Sequence, residues 1–206
     1  MIEVLAISGS PVKGSSTDIL LETVGKSLLE SAGPDRCRLT VIRLNELRFI
    51  ACQSCGKAPD SRWCLYDDDL TPVYEKVAEC DCLLFGSPIY FDSVSAQAKA
   101  FMDRCNCFRP LDFGHTNPGH RFVKRLTRKR PGGMVLVSGE GQWIEGARRT
   151  IAGFFKWIEV TNEGLLSYAA KDDYTIGAVR NDFQVLGQAK EMGTRLAEIV
   201  VRDHES

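Results

Sequence analysis

The 206-residue chain has no apolar run that approaches the roughly 18 residues needed for a membrane-spanning helix. It also has no excess of one charge: 26 Lys and Arg face 27 Asp and Glu, for a formal net charge of -1. The first absence argues against a membrane protein, the second against a globally basic nucleic-acid binder and a strongly acidic electron-carrier surface. A strand-like run begins at Ile2, which leaves no room for a leader segment and predicts a cytoplasmic protein. No internal repeat and no low-complexity linker divides the sequence, so residues 1–206 read as a single domain. Histidine is scarce, at positions 115, 120 and 204 only, all in polar segments that suggest no catalytic pair.

Cysteine, by contrast, is abundant, at positions 37, 52, 55, 64, 80, 82, 105 and 107. In a chain expected to stay in a reducing compartment, these residues are free thiols or metal ligands rather than a disulfide framework. Apolar runs suited to buried strands cover Ile2 to Ser8, Arg38 to Leu44, Asp81 to Gly86 and Gly133 to Ser138, with a poorer one from Gly164 to Tyr168. Helical periods alternate with them: Ile19, Leu20, Val24 and Leu28; a helix opening at Pro72; another after Ser93 or Ser95; Ile151, Phe154, Phe155 and Ile158; and Leu186 through Val200. Five βα units with right-handed crossovers predict a three-layer α/β/α fold with its ligand crevice beyond the carboxyl ends of the strands.

Chemistry is therefore sought in the strand-to-helix loops. The first, Ser8 to Thr17, is dense in hydroxyls and small residues directly before a helix, whose free N–H groups and positive dipole end suit a phosphate. Ser10, Ser15, Ser16 and Thr17 are the candidate donors, with Lys13 among them. A P-loop needs Lys directly after its second Gly, where this chain has Ser15, and the G-x-G-x-x-G dinucleotide fingerprint is missing too. The competing reading is a Ser-rich turn that only caps the helix, which Asp18 in the first turn supports. A third loop, Ser87 to Ser93, offers Pro88, Ile89, Tyr90 and Phe91 as an apolar wall for a flat ligand. The fourth carries Gly139, Glu140, Gly141 and Gln142, where glycine permits close backbone approach and the amide can reach ring heteroatoms.

Four blocks, SGSPVKGSST, C-x2-C-x8-C followed by YDDDL, LLFGSPIYFDSVSAQAKAFMDR and GMVLVSGEGQ, span most of residues 2 to 143. In that order they resemble the flavodoxin-like NADPH-dependent FMN reductase family, and more narrowly its iron-sulfur flavoprotein branch. The resemblance implies a five-stranded parallel sheet of order 2-1-3-4-5, and an FMN phosphate held by Ser10 to Thr17. It places the isoalloxazine between Pro88 to Phe91 and Gly139 to Gln142. It further implies a homodimer or homotetramer that uses NADPH or NADH as electron donor and passes electrons to a small-molecule acceptor such as a quinone or flavin. A one-electron carrier serving redox proteins is the alternative.

The iron-sulfur branch holds a [4Fe-4S] cluster on a compact four-cysteine motif. Here Cys52, Cys55 and Cys64 are in place, but Ala58 stands where a further thiolate would come, and such clusters want four. The expected topology puts Cys37, Cys80, Cys82, Cys105 and Cys107 at the sheet end opposite the site loops. Free or redox-active thiols are thus the expectation, with a cluster, or zinc with a non-Cys ligand, as the alternatives. A basic run holding Arg121, Lys124, Arg125, Arg128, Lys129 and Arg130 reads as a solvated connector, a site for the 2'-phosphate of NADPH, or a surface for an anionic partner. Lys99 and Asp103 stand four apart on one helix and pair there. Cys37-x5-Arg43 has a phosphatase spacing but falls within a strand.

Overall fold

A computed structural model of the chain describes residues 1–56, 62–114, 119, 121–139, 143–170 and 175–205. Five long strands form where the buried apolar runs lie: β1 (Ile2–Ser8), β2 (Cys37–Arg43), β3 (Cys82–Tyr90), β5 (Arg130–Ser138) and β6 (Val160–Ala169). They pair in parallel in the order β2-β1-β3-β5-β6, which among five successive strands is the flavodoxin-like 2-1-3-4-5. A two-residue strand, β4 (Ser93–Val94), folds back antiparallel on the end of β3.

Helices α1 (Ser16–Ala32) and α5 (Phe183–Glu205) cover one face of the sheet. Helices α2 (Thr71–Glu79), α3 (Ala96–Arg104) and α4 (Glu145–Trp157) cover the other. Each face buries its own apolar cluster, as a parallel sheet requires. The expected apolar positions on α1, Leu20, Val24 and Leu28, are fully buried, and on α5 so are Ala189, Met192, Leu196 and Val200. Ser95 caps α3, accepting a hydrogen bond from the Ala98 N–H at 3.2 Å.

Strand β5 begins three residues before its expected start. Arg130-Pro131-Gly132 looks like a turn, yet Pro131 pairs only with Thr161 of β6, while the β3 ladder begins at Gly132. The proline thus sits where one neighbour is missing and its lost N–H breaks no central ladder bond. Gly132 allows the close approach: a Cβ there would lie 2.6 Å from the Leu83 carbonyl oxygen.

Four of the six cations in the basic run are engaged within the fold. Arg130 is buried and donates to the Ile158 carbonyl at 2.5 Å and the Ala78 carbonyl at 3.1 Å, and also to Val77. It thereby closes the carboxyl ends of α2 and α4, where cations suit the helix dipole. Arg128 reaches Asp81 at 2.5 Å, Lys124 reaches Glu159 at 2.8 Å, and Arg125 lies 4.5 Å from the centre of the Trp63 ring. Lys124, Arg128 and Arg130 pin the amino edge of the sheet, and Arg125 holds the loop after β2. Among the described residues no helix is long and apolar enough to cross a membrane.

Candidate functional site

The loop between β1 and α1 is organised by Asp18, whose side chain is 1% exposed. Ser15 is the helix N-cap and Asp18 its third residue, and the two close a reciprocal capping box. The Asp18 carboxylate also accepts from the Ser8 hydroxyl at 2.6 Å and the Gly14 N–H at 2.8 Å, and it pairs with Arg43. The Ser10 hydroxyl is bonded within the loop, to the N–H and carbonyl of Val12 at 3.2 and 3.1 Å. The cap reading is therefore correct for Ser15, but it does not exhaust the loop. Among the described residues no acceptor meets the N–H groups of Ser16 and Thr17, the orphan donors of the opening turn.

These two residues border a crevice of about 420 Å³ beyond the carboxyl ends of β1, β3, β5 and β6. The crevice brings together Ser10, Ser15, Ser16, Thr17, Pro88, Ile89, Tyr90 and Gly139 out of the residues expected from sequence. Lys13 stands outside it, exposed and 3.5 Å from Glu46. Phe91 also stands outside, fully exposed at the tip of the β3–β4 hairpin. Both tip residues, Phe91 and Asp92, have positive φ, of 51° and 57°. This is the type I′ geometry of a two-residue loop, held here although neither is glycine. Asp92 anchors the tip by accepting from the Gly146 N–H at 3.2 Å, at the start of α4. Glu140, Gly141 and Gln142 lie outside the described residues.

Sequence reasoning missed the fifth strand-to-helix loop. Ala170, Ile176 and Gly177 line the crevice, as do Val137 and Ser138 at the end of β5. Gly177, at φ 72°, lets this loop press against the first: a Cβ there would lie 2.8 Å from the Gly14 carbonyl oxygen. The Val179 N–H then reaches the Ser16 hydroxyl at 3.3 Å. The rule that every parallel strand delivers its loop to the same edge carried the missing signal.

Taken together, the crevice has two open N–H donors at a helix N-terminus, apolar walls from Pro88, Ile89, Val137 and Ile176, and a volume in the range of small-ligand sites. The Ser138 hydroxyl beside it is buried without a partner among the described residues. A phosphorylated, flat, mostly apolar molecule such as FMN fits this set.

A second cavity, of about 250 Å³, overturns the expected separation of the cysteines. It is lined by Cys52, Cys55 and Cys64 and also by Cys107. Cys107 does follow the end of α3, as expected, but the long loop after β2 descends along the flank of that helix to meet it. Arg104, the last residue of α3, holds the loop there. Its side chain is 1% exposed, donates to Asp68 at 2.6 Å and to the Ile50 carbonyl at 2.8 Å, and reaches the Cys64 sulfur at 3.5 Å. Burial, with Cys64 nearby, pushes the Cys107 thiol well up in pKa, against the pull of Arg125 and Arg104. Among the described residues no three His, Cys, Asp or Glu side chains are disposed to hold a single metal ion.

A family model described as NADPH-dependent FMN reductase matches residues 2–171. Two iron-sulfur flavoproteins of Methanocaldococcus jannaschii are similar to the chain. One is 29% identical over 204 residues, 97% of each chain, and the other 30% identical over 173 residues, 82% of this chain and 78% of that one. A solved apo structure of an NADH:FMN oxidoreductase superposes with a TM-score of 0.65 at 15% identity, covering 96% of this chain and 89% of that one.

Proposed function

Since the chain belongs to the NADPH-dependent FMN reductase family, we propose that it binds FMN in the crevice and moves electrons from NADPH or NADH to a second acceptor, a quinone, flavin or similar small molecule. When bound, FMN supplies the hydride chemistry, taking two electrons at its N5 position and handing them on. The Ser16 and Thr17 N–H groups bind the phosphate at the positive end of α1, with Lys13 at the rim adding a screened attraction. Ser10, Ser15 and Asp18 hold the loop in shape without touching the reacting ring. Pro88, Ile89 and Tyr90 orient the ring and exclude water from one face, while the Gly139 backbone approaches from the other. No acid–base side chain is assigned a catalytic role. A homodimer or homotetramer would cover Phe91 and Trp143, exposed rings beside the crevice.

The open pair of N–H groups at the crevice carries this reading. Steady-state kinetics with FMN-loaded protein, NADPH or NADH, and a quinone should give parallel double-reciprocal lines, because both substrates use one site in turn. Intersecting lines would contradict a shared site. The cysteine cavity favours a second reading, an electron carrier for redox proteins. That reading is supported if dithionite bleaches the flavin and neither pyridine nucleotide does.

A further inference from the structure

We propose that Cys107 completes a four-cysteine iron-sulfur cluster site with Cys52, Cys55 and Cys64, and so takes the place of the thiolate missing at Ala58. The four cysteines line one cavity although 43 residues of sequence separate Cys64 from Cys107. This site is distinct from the flavin crevice, with which it shares no lining residue.

Two of the residues that line the cavity also carry buried donors without partners. Arg104 and Trp157 both line it, and the Arg104 Nε and Trp157 Nε1 are buried with no partner among the described residues. Buried donors without acceptors are costly unless an occupant supplies acceptors. Thiolate and sulfide sulfurs are such acceptors, and hydrogen bonds to sulfur are a normal part of a cluster environment.

Charge points the same way. Four thiolates around iron carry net negative charge, and the charged side chains lining the cavity are the guanidinium groups of Arg104 and Arg109; the carboxylates that pair with them, Asp68 and Glu159, are not among its lining residues. Size decides between occupants. A zinc ion about 2.3 Å from each sulfur would draw four thiolates into mutual contact. The four cysteines line a cavity of about 250 Å³, and among the described residues no three His, Cys, Asp or Glu side chains are disposed to hold a single ion, which suits a body of several atoms, each iron meeting one thiolate.

The test is anaerobic reconstitution of the full-length chain with ferrous iron and sulfide, read by iron and acid-labile sulfide content and by visible absorption. The wild type should take up about four irons and four sulfides per chain. Cys107→Ala should lose the visible band and most of the iron. Cys105→Ala, in the same buried turn but not lining the cavity, should keep both. Far-UV circular dichroism confirms folding independently of flavin and metal. If Cys107→Ala does not fold, Cys107→Ser, nearly equal in volume but a poor ligand, replaces it. Full cluster content in the Cys107 variant, no iron uptake by the wild type, or zinc binding without sulfide would each overturn the proposal. FMN titration of the same samples fails or succeeds separately, so the two sites are judged apart.

Discussion

The crevice at the carboxyl ends of the strands and the cysteine cavity at the ends of α3 and α4 differ in how far the protein alone satisfies their polar groups. In the first, Asp18 gathers Ser8, Gly14, Ser15 and Arg43 into a closed set, and among the described residues the Ser16 and Thr17 N–H groups and the Ser138 hydroxyl stay open. In the second, a buried guanidinium nitrogen and an indole nitrogen lack acceptors among the described residues, and four cysteines line one space. The crevice is thus a scaffold largely closed by its own contacts, whereas the cavity would be completed by the proposed cluster. Each region should respond to mutation accordingly.

The largest effect is expected at Asp18. Asp18→Ala leaves the half-buried Arg43 with Glu46 alone and strips the Ser8 hydroxyl and the Gly14 and Ser15 N–H groups of their acceptor, so urea unfolding of the ligand-free chain should show a loss of about 3 kcal/mol. A loss below 1 kcal/mol would mean the crevice is no more self-supporting than the cavity. Gly86→Ala comes next: its Cβ would lie 2.6 Å from Leu21 Cδ1 and 2.9 Å from Thr17 Cγ2, forcing α1 away from β3. Overpacking of this kind costs about 1 to 3 kcal/mol, and it should weaken FMN binding because Thr17 moves with the helix.

In the cavity, Cys107→Ala measured without metal should cost only about 1 kcal/mol, the ordinary penalty of a small core truncation. The contrast with Asp18→Ala follows if the proposed cluster, rather than the thiol itself, completes the cavity. Thiols outside both regions set the pH response. Burial raises Cys80 and Cys37 from 9.0 to about 11. Below pH 9 these thiols are protonated in folded and unfolded chains alike, and stability is unaffected. Between pH 9 and about 11 the unfolded chain loses these protons first, so stability must fall as pH rises. The urea midpoint should therefore be lower at pH 10 than at pH 8.

Periodicity and punctuation made most of the sheet readable: β1 lies where its apolar run does, and Pro72 and Ser95 mark the starts of α2 and α3. Ser10, Ser15, Ser16, Thr17, Pro88, Ile89, Tyr90 and Gly139 share a crevice because parallel connectivity sends their loops to one edge. The hairpin to β4 was illegible because two residues give no alternation to detect. The position of Cys107 was hidden for another reason. The loop after β2 is held by Arg104 to Asp68, 36 residues apart, and by Arg125 stacked on Trp63, and contacts so distant leave no local pattern.

The central claim is that the open N–H groups at the start of α1 hold a flavin by its phosphate, and fluorescence titration of the ligand-free chain with FMN and with riboflavin tests it most directly. Two charge-assisted hydrogen bonds of about 1.5 to 3 kcal/mol each predict that FMN binds at least about 100-fold more tightly than riboflavin. Equal affinity for the two, or no binding of FMN, would contradict the account.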